Sequence, residues 1–174
     1  TAEHVEKLRR HPLARALRVD KLTLAALEAT LSTTSTPTWD ALEADPEAVL
    51  AFYNERREKA WQAQPNAAHI AIASLEPAYE VVIVTQNVDA LHERAGSRNV
   101  LHLHGQLAYA RGTPESDPKR YRIDSDPIAM GQLCEDGTQL RPDIVWFGEA
   151  VQHFEEAEEH VATAARVLVV GTSL

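Results

Sequence analysis

The chain has 174 residues, 44% of them hydrophobic and 25% charged, and a formal net charge of −9. That length suffices for one domain with a real core, and the acidic balance argues against nonspecific binding to nucleic acid, which rests on a positive surface. No apolar run reaches the about 20 residues that span a bilayer, and no segment has the layout of a secretory signal, so the cytoplasm is the expected compartment.

Residues 1–31 read as helix, with Leu8, Leu13, Ala16, Leu17, Leu22, Leu24, Leu27 and Leu31 at helical spacing and Pro12 as a break. The polar stretch 31–38 reads as a linker, which divides the chain into a helical N-terminal segment, 1–38, and a core, 39–174. Asp45 and Pro46 predict the start of a helix over 46–62, with Asp45 as N-cap. A second helix follows over about 66–76. The run VVIVT (81–85) predicts a strand buried on both faces, as in a parallel sheet. A short helix over 90–95 closes at Gly96, and 100–103 is a second strand. Residues 108–142 read as irregular, 143–147 as a strand, 151–165 as an acidic amphipathic helix and 166–173 as a last buried strand. Strands alternating with helices predict an α/β fold, a parallel sheet flanked by helices with an irregular insertion at about 108–142.

Ligands of open parallel sheets bind at the carboxyl ends of the strands. Three strands here end in polar clusters: Gln86, Asn87 and Asp89; His102 and His104; and Gly171, Thr172 and Ser173. Amides and a carboxylate suit an amide-bearing ring, a Gly-Thr-Ser turn suits a phosphate or ribose, and a histidine there suits a general base. Each cluster also has a plain reading, as a satisfied structural histidine or an Asx turn.

Taken together, the strings TQNVDALHERAGS (85–97), LHGQL (103–107), LRPDIVWFGE (140–149) and VVGTS (169–173), in this order and spacing, resemble the catalytic core of the sirtuins, from about residue 46 onward. The resemblance implies a partial Rossmann-like fold and an NAD-dependent protein-lysine deacylase acting on acylated lysine side chains of proteins. It implies that His104 is the catalytic base. Gln86, Asn87 and Asp89 would line the nicotinamide and ribose pocket, and Gly171, Thr172 and Ser173 would hold the ADP-ribose part of NAD. Val145, Phe147, Gly148 and Glu149 would pair with an extended acyl-lysine peptide by strand addition. The acyl group would pass to ADP-ribose with release of nicotinamide.

Tyr53 and Arg56 are three apart and share a helix face. They resemble the Tyr-x-x-Arg pair of sirtuins that prefer malonyl-, succinyl- or glutaryl-lysine, where phenol and guanidinium meet the acyl carboxylate. The plain alternative is that Tyr53 packs in the core while Arg56 solvates the surface. Acetyl-lysine stays within the implied range.

The chain departs from the sirtuin pattern in three places. The usual two cysteine pairs of a zinc module are replaced by the single Cys134, so no metal is expected, as in a zinc-less bacterial subgroup. Cys134 then reads as a small buried residue, a reactive thiol or a relic of a lost site. The glycine-rich NAD loop expected before residue 46 is absent, and within residues 4–31 the stretch RALRVDKLTLAALEATL resembles a segment of bacterial selenocysteine synthase, a pyridoxal-phosphate enzyme. The sequence stops just after Gly-Thr-Ser, which reads as a truncated or fused frame of marginal stability. Three functions compete on these features: an active deacylase, a non-catalytic fragment of that fold, and a pyridoxal-phosphate protein.

Overall fold

Helix α1 (Pro46–Gln62) starts where the sequence requires. The Asp45 carboxylate accepts the Ala48 N–H at 3.0 Å and proline opens the first turn. Its buried residues, Val49, Leu50, Tyr53 and Arg57, follow helical spacing and define one face. The computed structural model describes residues 44–112, 119–146 and 148–171. The helical reading of the first segment, the linker and the stretch resembling selenocysteine synthase lie outside the described residues.

Helix α2 (Ala67–Ala73) is capped by Asn66, whose side-chain oxygen accepts the N–H groups of Ala68 and His69, while the His69 ring meets the Asn66 N–H. It gives way to turns after residue 73, short of the expected 76. Strand β1 (Ile83–Thr85), helix α3 (Leu91–Arg94) and strand β2 (Val100–His102) form a β-α-β unit. The two strands are parallel, with Ile83 opposite Val100 and Thr85 opposite His102. Gly96, at φ 106°, ends the α3 turn in the left-handed region.

Three further strands make a separate antiparallel sheet: β3 (Gly105–Arg111), β4 (Arg120–Arg122) and β5 (Arg141–Ile144), in the order β4-β3-β5. Helix α1 lies across this sheet and buries two apolar clusters. One joins Val49 and Tyr53 to Leu107, Ile144 and Trp146, and the other joins Leu50 to Ala110, Ile128, Cys134 and Leu140. Cys134 is thus one of the buried apolar contacts. Arg57 locks α1 in place: its Nε donates to the Leu107 carbonyl at 2.7 Å and its other arm donates to Asn54 Oδ1. Asn54 in turn bonds both backbone groups of Ile128. Helix α4 (Phe154–Thr163) follows, with Glu155 and Glu156 in its first turn, where carboxylates complement the helix dipole.

The structure thus has the expected parallel sheet with flanking helices, and it differs from the sequence reading in detail. The stretch read as irregular contains β4 and parts of β3 and β5, because Leu107 and Ala110 of β3 pack against α1 around a register shift and the strand's backbone pairs on both sides. The strand expected at 143–147 lies earlier, at Arg141–Ile144, and is antiparallel. Strand β1 is not buried on both faces, since Val84 is exposed and, among the described residues, only β2 pairs with it. Residues 166–171 carry no strand: Val167, Leu168, Val169 and Val170 are exposed, and among the described residues no partner takes up their backbone groups.

Candidate functional site

The polar residues gather where β1 and β2 end side by side. The Leu103 N–H donates to the Thr85 carbonyl at 2.9 Å and the Leu107 N–H to the Val88 carbonyl at 2.8 Å, so the loop after β1 lies along the turn from β2 into β3. Within that loop the Asn87 N–H donates to Thr85 Oγ1 and the Leu91 N–H to Asp89 Oδ1. Asp89 therefore anchors the first turn of α3. Gln86 and Asn87 are exposed, and their side-chain amides bond to none of the described residues.

His104 sits in the tight turn between β2 and β3. Its carbonyl accepts the Val145 N–H at 3.0 Å, and the carbonyl of Leu103 accepts the Gln152 N–H at 3.0 Å. The turn is pinned through backbone, which leaves the half-buried His104 ring without a hydrogen bond to the described residues. Gly105 makes this packing possible: its φ is 80°, and a Cβ there would lie 2.0 Å from the Asp143 carbonyl oxygen.

His102, two residues earlier, has the opposite environment. It is 4% exposed, with Nδ1 2.8 Å from the Asn87 carbonyl oxygen and Nε2 2.8 Å from Glu93 Oε1. Burial disfavours its charged form, but the Glu93 hydrogen bond, the Asn87 carbonyl and the charges of Glu93 and Asp89 outweigh it, and its pKa is raised. Burial pushes the Glu93 carboxyl up, yet its bond to His102 and the nearby histidines win and hold it below the usual range. His102 and Glu93 have no role in the sequence reading, although Glu93 lies inside a string that carries the resemblance and His102 directly precedes another.

The segment expected to meet a peptide is held by charge. Trp146 and Glu149 close a turn in which the Glu149 N–H donates to the Trp146 carbonyl at 3.0 Å and the Trp146 N–H donates to Glu149 Oε2 at 2.8 Å. Gly148, at φ 94°, supplies the backbone conformation. The Glu149 carboxylate also pairs with Arg141 and with Arg111, and Arg141 stacks on the Trp146 ring at 4.4 Å. Asp143, fully buried, takes Arg120 at 2.6 Å and lies 3.4 Å from Arg111. The Glu149 side chain is therefore committed to this network, while Gly148 is exposed and Val145 half-buried. Phe147 lies outside the described residues, as do Thr172 and Ser173. Gly171 has φ 69°.

Tyr53 and Arg56 share the α1 face as expected, but at different depths. Tyr53 is 2% exposed, and its hydroxyl accepts the Trp146 indole N–H at 2.9 Å. Arg56 is half-buried, with its guanidinium 4.8 Å from the centre of the Phe52 ring. Burial raises the Tyr53 pKa, against the opposing effects of the Trp146 bond and of Arg56 and Arg141.

The Sir2 family model matches residues 25–174. An NAD-dependent protein deacylase of Helicobacter pylori is 52% identical over 131 residues, covering 75% of this chain and 56% of the relative. A Sir2 homologue solved as an NAD complex superposes with a TM-score of 0.65 at 36% identity, covering 79% of this chain and 60% of that one. Sir2Tm bound to a propionylated peptide superposes with a TM-score of 0.58 at 31% identity, covering 72% and 54%. The chain spans about half the length of the curated relatives it matches.

Proposed function

The chain belongs to the Sir2 family, and from that premise we propose that it acts as an NAD-dependent protein-lysine deacylase whose base is His104. The observation that carries this is the contrast between two neighbouring histidines. Both His102 nitrogens are taken, whereas the His104 ring makes no hydrogen bond to the described residues, on a turn fixed through its own backbone. An imidazole held in that way has a ring nitrogen open to a substrate hydroxyl proton.

The residues present fit NAD in one respect that bears on binding. Gln86 and Asn87 offer exposed side-chain amides, without partners among the described residues, at the carboxyl ends of the parallel strands. These two, with Asp89, Gly171, Thr172 and Ser173, are the groups we assign to it. When bound, NAD supplies a sugar carbon that becomes electrophilic as nicotinamide leaves, and so an acceptor for the acyl oxygen. The chain's own work is then to orient the amide-bearing ring through Gln86 and Asn87 and to take up a proton on the His104 ring. The backbone of 145–149 aligns an extended acyl-lysine peptide. Tyr53 and Arg56 give that site its finer preference, for acyl chains ending in a carboxylate.

The test is mass spectrometry of succinyl-lysine and acetyl-lysine peptides incubated with the protein, with and without NAD. NAD-dependent loss of the acyl group with formation of O-acyl-ADP-ribose is the expected result. Folded protein that turns over neither peptide would overturn the assignment of activity to this chain.

A further inference from the structure

The sirtuin reading gives His102 no task, yet it is a buried ionisable side chain with two short polar contacts at the edge of the site. We propose that His102 is a positioning residue for NAD: bridging Asn87 and Glu93, it fixes the shape of the 85–89 loop that presents Gln86, Asn87 and Asp89. The proposal rests on the reading of that loop as the cofactor loop.

The geometry sets the protonation of the bridge. A neutral imidazole has one N–H and one lone pair. The Asn87 carbonyl can only accept, so Nδ1 must carry a proton. The Glu93 carboxyl is held ionised, so Nε2 faces an acceptor as well. One of two contacts at 2.8 Å would be repulsive unless both nitrogens are protonated. The charge also has a purpose on the Glu93 side. That carboxylate is half-buried, its Oε2 has no hydrogen-bond partner among the described residues, and its Oε1 is otherwise met only by the Gln106 amide at 3.2 Å. A neutral partner would leave a poorly compensated charge.

The other groups near the ring fit this account. Asp89, before α3, favours the charged form, and His92, on α3, is held toward its neutral form by burial and by His69, so it competes little for Glu93. From β3, Gln106 links Glu93 to Arg120, whose NH2 donates to Gln106 Oε1 at 2.9 Å and whose Nε donates to Asp143. The bridge therefore runs from the Asn87 backbone through His102 and Glu93 to β3, β4 and β5. Holding the Asn87 carbonyl orients the Asn87–Val88 peptide plane, and with it the backbone that carries the exposed Asn87 amide and, one residue earlier, that of Gln86.

The experiment measures NAD affinity and acyl-lysine peptide affinity by calorimetry for the full chain and for His102→Phe and His102→Gln. It also records the nitrogen-15 spectrum of the histidine rings at pH 7. The expected results are a doubly protonated His102 and a roughly ten- to hundredfold weaker NAD affinity in His102→Phe, the loss of one charge-assisted hydrogen bond. Peptide affinity should stay within about twofold, the scatter of an unaffected site. His102→Gln, which can still donate to the Asn87 carbonyl, should recover part of the loss. A neutral His102 tautomer, or unchanged NAD affinity in His102→Phe, overturns the proposal. So does an equal loss of peptide affinity, which marks a merely structural role. If the unaltered chain binds no NAD, the cofactor reading falls and the proposal falls with it, whereas failure of the variants alone leaves that reading standing.

Discussion

The Tyr53 hydroxyl accepts the indole N–H of Trp146 at 2.9 Å, across 93 positions of sequence, with the two rings stacked 6.2 Å apart. Indole nitrogen is a donor only. The bond therefore fixes the hydroxyl oxygen as acceptor and leaves the Tyr53 proton free to turn toward another acceptor. The carboxylate of a succinyl chain is an acceptor of that kind, and Arg56 stands three residues on, on the same helix face.

Tyr53→Phe should lower kcat/KM for a succinyl-lysine peptide by at least about tenfold, the worth of a hydrogen bond to a charged group, while changing the acetyl-lysine value much less. Trp146→Phe, which keeps the ring, should lower the succinyl-to-acetyl ratio less than Tyr53→Phe does. Kinetics with both peptides reads this directly. Equal losses on both would mean that Tyr53 serves packing alone.

Tyr53→Phe also removes the hydroxyl that accepts the Trp146 indole N–H inside the core. Leaving such a donor unsatisfied costs about 1–3 kcal/mol, so the urea midpoint should fall while the slope of the transition stays the same. An unchanged midpoint would show that the indole finds another acceptor.

Two glycines in left-handed backbone separate strain from collision. At Gly105 a Cβ would lie 2.0 Å from the Asp143 carbonyl oxygen, whereas at Gly137, φ 84°, it would meet nothing within 4 Å. Gly137→Ala should cost only the backbone term, about 1–2 kcal/mol. Gly105→Ala should cost several times that, because β5 and the His104 turn must separate. Comparable urea midpoints for the two variants would contradict the close packing of Gly105 against β5.

The paired charges give stability a definite pH dependence. His102 is raised in the folded chain, so its contribution is fully present below the unfolded value of about 6.5 and is lost as pH rises through the folded value. Glu93 is lowered, so its contribution is present above the unfolded value, about 4.3, and is lost as pH falls through the folded one. His69 and His92 are lowered chiefly by burial and run opposite to His102, losing stability as pH falls through their folded values. The difference in unfolding free energy between the chain and His102→Phe isolates the bridge: it should be largest near pH 6 and shrink toward alkaline pH. A difference that grows with pH would reverse the assignment.

Glu149 carries the last prediction. Its carboxylate pairs with the buried Arg141 and with Arg111, and burial already brings the Arg141 pKa down to about 10. Glu149→Gln removes the counter-charge that Arg141 and Arg111 share, leaving Arg111 with Asp143, which should cost about 3–5 kcal/mol. Thermal unfolding checks it. A loss below 1 kcal/mol, the range of an exposed pair, would mean that water or another carboxylate takes over.

The local features were legible in the sequence because their physics is local. The Asp45 cap and Pro46 place the start of α1 to the residue and Gly96 ends α3, since each rests on contacts within three or four positions. The β-branched run of β1 and the motif strings marked the parallel strands and the site at their ends. Tertiary structure decided which strands find partners: the same apolar, β-branched character that forms β1 leaves 167–170 exposed, because a strand exists only where another backbone takes its N–H and C=O groups. It also decided which histidine is free. The two stand two residues apart, but Glu93 and Asn87 come from elsewhere in the chain to occupy His102, while among the described residues Val145, just past β5, bonds the backbone of His104 and none bonds its ring. Sequence fixes the residue types and the caps; long-range pairing of backbone and charge assigns the roles.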